Sequence, residues 1–319
     1  MLTALSKAEG LCYVSFSVIA ACTSKYTSLL RFQSLAFGAF YFAVPFLTFY
    51  EFINSNRRGN AEMWSEIRAR VLKGEVVYGM MVRHGRDPGV TTLVGKVGFD
   101  FVFIDMEHGP YSIETVSDLI RGAKSVGCAP IIRVPSAERY FISRVLDAGA
   151  EGIMVPMLST PEQAQRAVRY AKFPPMGRRG VGLPTGQADY AVVKAADFTE
   201  QANEKTLVIA QIENREGIRN IDEILSVDGI DLAVMGPNDL SYDLGCQGQT
   251  DHPKVVEAIQ KVVDAARRCG RHSGTHMGNL EQLLSWKGRG MTFIAYNTDS
   301  GLLFKAASEG LHALRGSVH

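Results

Sequence analysis

Several short stretches of this 319-residue chain place ionisable side chains at the ends of apolar runs. Arg83 and His84 follow the run Val76–Val82. Asp105, Glu107 and His108 close the run that begins at Phe101. Arg133 lies within Pro130–Val134, Gln211 and Glu213 end Leu207–Glu213, and Asn238 and Asp239 follow Leu232–Gly236. Glu213 and Asp239, two carboxylates with no thiolate beside them, make a hard oxygen site. It suits Mg2+ or Mn2+, with waters and a chelating substrate completing an octahedron. No histidine cluster shares that location, which disfavours zinc. A second reading stays open: Glu213 pairs with Arg215, and Asp239 caps the following loop. Arg133 inside an apolar strand suits a carboxylate or the developing oxygen of an enolate. A salt bridge to Asp105 or Glu107 is the competing reading. Asp105 and His108 read as a carboxylate–imidazole dyad that moves a proton directly or through water. Glu107 is a further acid able to orient its neighbours.

The elements that must position these groups alternate along the chain. Apolar runs at Val76–Val82, Phe101–Asp105, Pro130–Val134, Gly152–Met157, Leu207–Glu213, Leu232–Gly236, His272–Thr275 and Met291–Tyr296 read as strands, the seventh being the weakest. Amphipathic stretches between them read as helices. Ser112 and Thr160-Pro161-Glu162 mark two helix starts through a capping hydroxyl, a proline at the first position and an early acid. Residues Phe173–Lys205 read as a long loop holding the pair Arg178-Arg179, which is either an anion site or a subunit contact. Eight near-continuous apolar strands in series imply a parallel sheet covered by helices. The count of eight, and the lack of a GxGxxG loop, favour an α/β (β/α)8 TIM barrel over an open sheet. Active sites of such barrels lie at the C-terminal strand ends, where the polar groups above collect.

The remaining features narrow the chemistry. No predicted strand end carries a lysine; Lys124, Lys172 and Lys194 fall on helices or loops. A Schiff-base mechanism needs a desolvated lysine in the barrel, so an aldolase here would use a metal as electron sink. The 34 basic and 33 acidic residues leave a net charge of +1, which gives no nucleic-acid surface. Five cysteines without a CxxC indicate neither a disulfide framework nor a thiolate metal site.

Residues 1–60 stand apart from the barrel expected over 61–319. Leu11–Ser24 and Phe32–Tyr50 carry no charge, and the second, rich in aromatics, approaches the ~20 apolar residues that span a bilayer. A membrane anchor, a cleaved targeting segment and sequence foreign to the mature protein are equally open readings. Membrane contact, if any, runs through residues 11–50. The barrel itself reads as cytoplasmic, and a membrane-tethered, non-catalytic barrel is the reading from another functional class.

Six segments together resemble one known family: FDFVFIDMEHGP (99–110), IIRVP (131–135), DAGAEGIMVPM (147–157), YAKFPPMGRRGVG (170–182), QIENREGIRNIDEIL (211–225) and GPNDLSYDLG (236–245). The chain resembles the HpcH/HpaI (2,4-dihydroxyhept-2-ene-1,7-dioate aldolase) family of metal-dependent pyruvate aldolases from about Leu72 to Arg315. The resemblance implies that Glu213 and Asp239 ligate the metal and that Arg133 stabilises the 2-oxo oxygen as it becomes an enolate. It implies an acid–base dyad of His108 with Asp105, acting through a metal-held water. Gln211 and the Gly236 region, with Asn238, would contact the oxo acid. The implied reaction is retro-aldol cleavage of a 4-hydroxy-2-oxo acid to pyruvate and an aldehyde. Oxaloacetate decarboxylation or enolate transfer on the same scaffold is the alternative. A homo-oligomer, often a hexamer whose C-terminal helix packs on a neighbour, is also implied. Asn238 replaces a residue that is often small in the family. His276 stands where an apolar residue is common, which leaves the polarity of the acceptor pocket open.

Overall fold

A computed structural model describes residues 64–316. The readings attached to residues 1–60, including the anchor and targeting readings, lie outside these residues. Among the described residues no helix is long and apolar enough to cross a membrane.

Eight parallel strands close into a barrel in sequence order. They are β1 (Val77–Val82), β2 (Phe101–Asp105), β3 (Ala129–Arg133), β4 (Gly152–Val155), β5 (Leu207–Ile212), β6 (Leu232–Met235), β7 (His272–Met277) and β8 (Phe293–Thr298). The weak seventh run is a full strand two residues longer than expected. Its side chains alternate between polar and small types, because Gly274 must make room for Phe293, whose Cβ lies 2.6 Å from where a side chain at 274 would begin. Strand phase divides the residues into two shells. Val77, Met81, Phe101, Phe103, Ala129, Ile131, Leu207, Ile209, Leu232, Val234, Phe293 and Ala295 fill the barrel interior. Met80, Val82, Val102, Ile104, Ile132, Val208 and Met235 face the helical layer. Phe101 stacks on Phe293 at 4.1 Å and meets Phe103 edge-on at 5.1 Å, so aromatic rings plug the centre of the barrel beneath its mouth.

Helices α1 (Ile67–Leu72), α2 (Pro88–Val97), α3 (Ile113–Lys124), α4 (Arg139–Asp147) and α5 (Pro161–Ala171) precede β5. Ser112 accepts from the Thr115 backbone N–H, and Thr160 forms a full capping box with Gln163, as their sequence signals require. The long loop contains a single 3₁₀ turn (Gly186–Ala188) and then helix α6 (Ala195–Lys205), which weak amphipathic patterning had hidden. Beyond β5 come α7 (Arg215–Arg219) and α8 (Ile221–Leu225), split by the non-helical Asn220 at φ −94° and ψ 11°. They are followed by α9 (Pro237–Asp243), α10 (Pro253–Arg268), α11 (Leu280–Gly288) and α12 (Asp299–Gly316). No residue of α12 is buried, and Leu303, Phe304 and Leu314 are each more than 70% exposed.

Two expectations are settled away from the mouth. Arg179 is not a free anion-binding group: it is buried, donates to Asp147 Oδ1 at 2.7 Å and to Gln187, and stacks over Phe173. Lys172 is fully buried, but its ammonium donates to the carbonyls of Asn203 (2.7 Å) and Thr206 (2.6 Å), beside the N-terminal end of β5. Burial lowers its pKa to about 8. It lies at the opposite end of the barrel from the polar rim, in keeping with a site that lacks a Schiff-base lysine.

Candidate active site

On β2 and β3 the inward phase carries the last residue of the strand to the barrel mouth. On β2 the interior series Phe101, Phe103 ends at Asp105; on β3 the series Ala129, Ile131 ends at Arg133. The two strands are in register with Asp105 opposite Arg133. Their side chains meet in a two-pronged ion pair: Arg133 Nε donates to Asp105 Oδ1 at 2.8 Å and Arg133 Nη2 donates to Oδ2 at 2.6 Å. Arg83, at the end of β1, donates through Nε to Asp105 Oδ2 at 2.8 Å. The Asp105 carboxylate is fully buried. Burial alone would raise its pKa, but the hydrogen bonds and charge of Arg133, then Arg83, outweigh it and hold the group at about 2.

In this structure the side chains of Asp105 and His108 do not meet as the expected dyad. Asp105 Oδ1 accepts from the backbone N–H groups of Glu107 (3.1 Å) and His108 (3.3 Å), not from the imidazole. The His108 side chain is half exposed, and its Nε2 lies 3.7 Å from Glu107 Oε2. Glu107 also faces Arg133 Nη1 at 3.1 Å without hydrogen-bond alignment. Burial, opposed by Arg133 and His108, leaves the Glu107 pKa raised. The salt-bridge reading of Arg133 is therefore the one its geometry takes. A guanidinium clamped by Asp105 has its remaining N–H groups fixed in direction, which is what charge stabilisation in a mouth requires.

Glu213 follows β5 and is buried. Its Oε1 accepts from the Met157 backbone N–H at 2.7 Å, and its Oε2 accepts from Gln211 Nε2. Burial first, and the charges of Glu107 and Asp239 next, raise its pKa to about 7 against those two hydrogen bonds. Arg215 does not pair with it; that guanidinium binds Asp243 at 3.1 Å. Asp239 stands in the first turn of α9, exposed, with Asn238 beside it. Gly236 precedes α9, and a side chain there would press on the Glu213 carboxylate, with its Cβ 2.9 Å from Glu213 Cβ and 3.1 Å from Gln211 Nε2. The mouth therefore brings together Arg83, Asp105, Glu107 and Arg133 in one cluster and Gln211, Glu213 and Gly236 in another, linked by the charges of Arg133, Glu107 and Asp239 on or beside Glu213.

The donor set fits a hard divalent cation. Each Glu213 oxygen keeps a lone pair beyond its one hydrogen bond. The carboxylate is pushed toward protonation by burial and, to a smaller extent, by the charges of Glu107 and Asp239, both of which a cation would offset, and the buried Gln211 Oε1 has no hydrogen-bond partner. No group of three or more His, Cys, Asp or Glu among the described residues is placed to hold a metal unaided. Two carboxylates leave coordination positions open to water and substrate, as catalytic Mg2+ sites do.

Two participants carry a weaker sequence signal. Arg83 ends the inward series Val77, Gly79, Met81 and could have been found from that period of two. His276, on β7, lies in the same inward phase, since its neighbour Met277 packs outward.

Known proteins match this chain over the barrel. The HpcH/HpaI aldolase/citrate lyase family profile matches residues 79–306. A hydroxypyruvate/pyruvate aldolase of Roseobacter denitrificans is 37% identical over 234 residues, covering 72% of this chain and 90% of the relative. The crystal structure of an HpcH/HpaI aldolase from Desulfitobacterium hafniense superposes with a TM-score of 0.76 at 33% identity, over 78% of this chain and 96% of that one. The citrate synthase SbnG matches with a TM-score of 0.70 at 30% identity, over 80% and 98% of the two chains.

Proposed function

The chain belongs to the HpcH/HpaI aldolase/citrate lyase family, and from that membership and the geometry of the mouth we propose a divalent-metal-dependent carbon–carbon lyase that cleaves a 4-hydroxy-2-oxo acid to pyruvate and an aldehyde. The observation that carries this reading is the buried Glu213 carboxylate, crowded by the charges of Glu107 and Asp239, in the same mouth as the clamped guanidinium of Arg133. Glu213 and Asp239 would hold Mg2+ or Mn2+, which supplies Lewis-acid polarisation of the substrate's 2-oxo group. Gln211, with its unpaired Oε1, and the backbone at Gly236, with Asn238, line the place of the oxo acid. His108, half exposed beside Glu107, takes the proton from the 4-hydroxyl. As the bond between C3 and C4 breaks, its electrons pass toward the 2-oxo oxygen, where Arg133 offsets the developing charge. Asp105 acts by holding Arg133 in place and does not itself move the proton.

The likeness to a citrate synthase supports a second reading, decarboxylation of oxaloacetate or transfer of its enolate, on the same residues. Release of carbon dioxide without an aldehyde would distinguish it. The exposed Leu303, Phe304 and Leu314 of α12 support a homo-oligomer in which another copy covers that helix.

Proton NMR of deuterium exchange into the pyruvate methyl group tests the main proposal. Exchange should require Mg2+ or Mn2+, stop with EDTA, and be lost in Glu213→Gln. A folded, metal-loaded enzyme that exchanges no methyl proton refutes pyruvate as the enolised product.

A further inference from the structure

One ionisable group of the mouth has no part in the chemistry above. His276 sits on β7, next to β6, the strand that leads into Gly236 and Asp239. Its inward phase places it in the layer of Arg83, Asp105 and Arg133, all of which act electrostatically on its ring. Its Nε2 is 2.9 Å from the carbonyl oxygen of Asn297 on β8. A carbonyl can only accept, so Nε2 must carry the proton and Nδ1 keeps its lone pair. Among the described residues Nδ1 makes no hydrogen bond, and it is not one of the buried unpaired atoms. Burial and the charges of Arg133 and Arg83 lower the ring's pKa to about 4, so it is neutral at physiological pH.

Asn297 is itself unusual. It holds φ at +57°, a left-handed conformation that asparagine adopts more readily than most residues other than glycine. Its side chain accepts from the Thr298 backbone N–H at 2.8 Å, which holds that conformation locally. The effect of this constraint is to fix the carbonyl that sets the tautomer of His276. A neutral imidazole with a fixed donor and an unused acceptor, beside the charged groups of the mouth, is suited to receiving a hydroxyl hydrogen.

Resting on the lyase reading above, we propose that His276 is a specificity-determining residue whose Nδ1 accepts a hydrogen bond from a substrate hydroxyl other than the one deprotonated in the reaction, so that the enzyme favours hydroxylated substrates over their deoxy counterparts. That hydroxyl belongs either to the aldehyde or to C3 of the oxo acid.

Aldol addition run in the synthetic direction separates the two sources. The acceptor arm compares kcat/KM for glycolaldehyde and propanal with pyruvate as donor; the donor arm compares hydroxypyruvate with pyruvate on one fixed aldehyde. In at least one arm the wild-type full chain should favour the hydroxylated partner by about tenfold, the scale of one neutral hydrogen bond at a buried site. His276→Leu should bring that ratio to within about twofold of unity. His276→Gln, which keeps an acceptor oxygen, should retain most of it. Ratios are read within each variant, so a general loss of activity cancels, and His276→Met serves if the leucine variant does not fold. Wild-type ratios near unity in both arms, or ratios unchanged in the apolar variant, overturn the assignment. Deuterium exchange into pyruvate by the wild type, measured alongside, separates the failures. Without exchange the lyase reading falls; with exchange and an insensitive ratio only the role of His276 falls.

Discussion

Asp105→Asn tests whether Asp105 serves the arginines or the histidine. The carboxylate takes two hydrogen bonds from Arg133 at 2.8 and 2.6 Å and one from Arg83 at 2.8 Å. Asparagine keeps the shape but removes the charge and turns one acceptor into a donor pointed at guanidinium N–H groups. Arg133 is 5% exposed, so its charge is then left with only the poorly aligned Glu107. Breaking a buried pair by altering one partner costs about 3–5 kcal/mol. For a barrel of this size that is a fall in melting temperature of roughly 6–20 °C. The assay is thermal unfolding of Asp105→Asn, Arg133→Met, His108→Ala and the corresponding double variants. Asp105 and Arg133 should couple by more than ~1 kcal/mol, whereas Asp105 and His108 should be additive within ~0.5 kcal/mol. A small loss of stability in Asp105→Asn, with strong coupling to His108 instead, refutes the argument and restores the dyad.

Three further outcomes follow from the same geometry. Gly236→Ala has no backbone penalty at φ −101°, so its whole effect falls on the Glu213 carboxylate it would crowd. Pyruvate exchange should drop about 100-fold, the scale of a 1 Å misplacement, and Mg2+ affinity measured by calorimetry should weaken with it. In acid, Asp105 with a folded pKa of about 2 against an ordinary 3.8 stabilises the fold fully above about pH 4 and loses that contribution as pH falls toward 2. The contribution is about 2 kcal/mol, to be read as the part of the acid-induced melting shift that Asp105→Asn lacks. Phe304→Asp, placed on the uncovered face of α12, should lower the solution mass of the oligomer in sedimentation or light scattering, with pyruvate exchange followed in parallel.

Much of the architecture was legible because burial on both faces forces parallel strands into continuous apolar runs. Phe101–Asp105 and Leu207–Ile212 could hardly be read otherwise. Legibility failed where packing asked for small or polar residues instead. β7 reads His-Ser-Gly-Thr-His-Met because Phe293 occupies the space that larger interior side chains would fill. α6 went unseen because its buried positions are Phe198, Ala202 and Asn203, the last of which is polar and bonds the Phe173 backbone at 2.7 and 3.1 Å. The charges of Asp105, Glu107, Arg133, Glu213 and Asp239 were legible, since a charge at the end of an apolar strand is conspicuous, whereas Arg83 and His276 gave a weaker signal.

The sequence by itself determined that eight strands form, to within a residue or two where each one ends, and therefore which charges gather at the strand ends. Periodicity is a local property, and each strand's interior face is set by its own alternation. Only the tertiary structure decided which of those charges are partners. Asp105 lies three residues from His108 and 28 from Arg133, yet its side chain belongs to the latter. The reason is directional. Strand register sets Asp105 and Arg133 side by side on the inner surface, while the turn after β2 carries the His108 ring outward to solvent. Here register between adjacent strands outranks proximity along the chain.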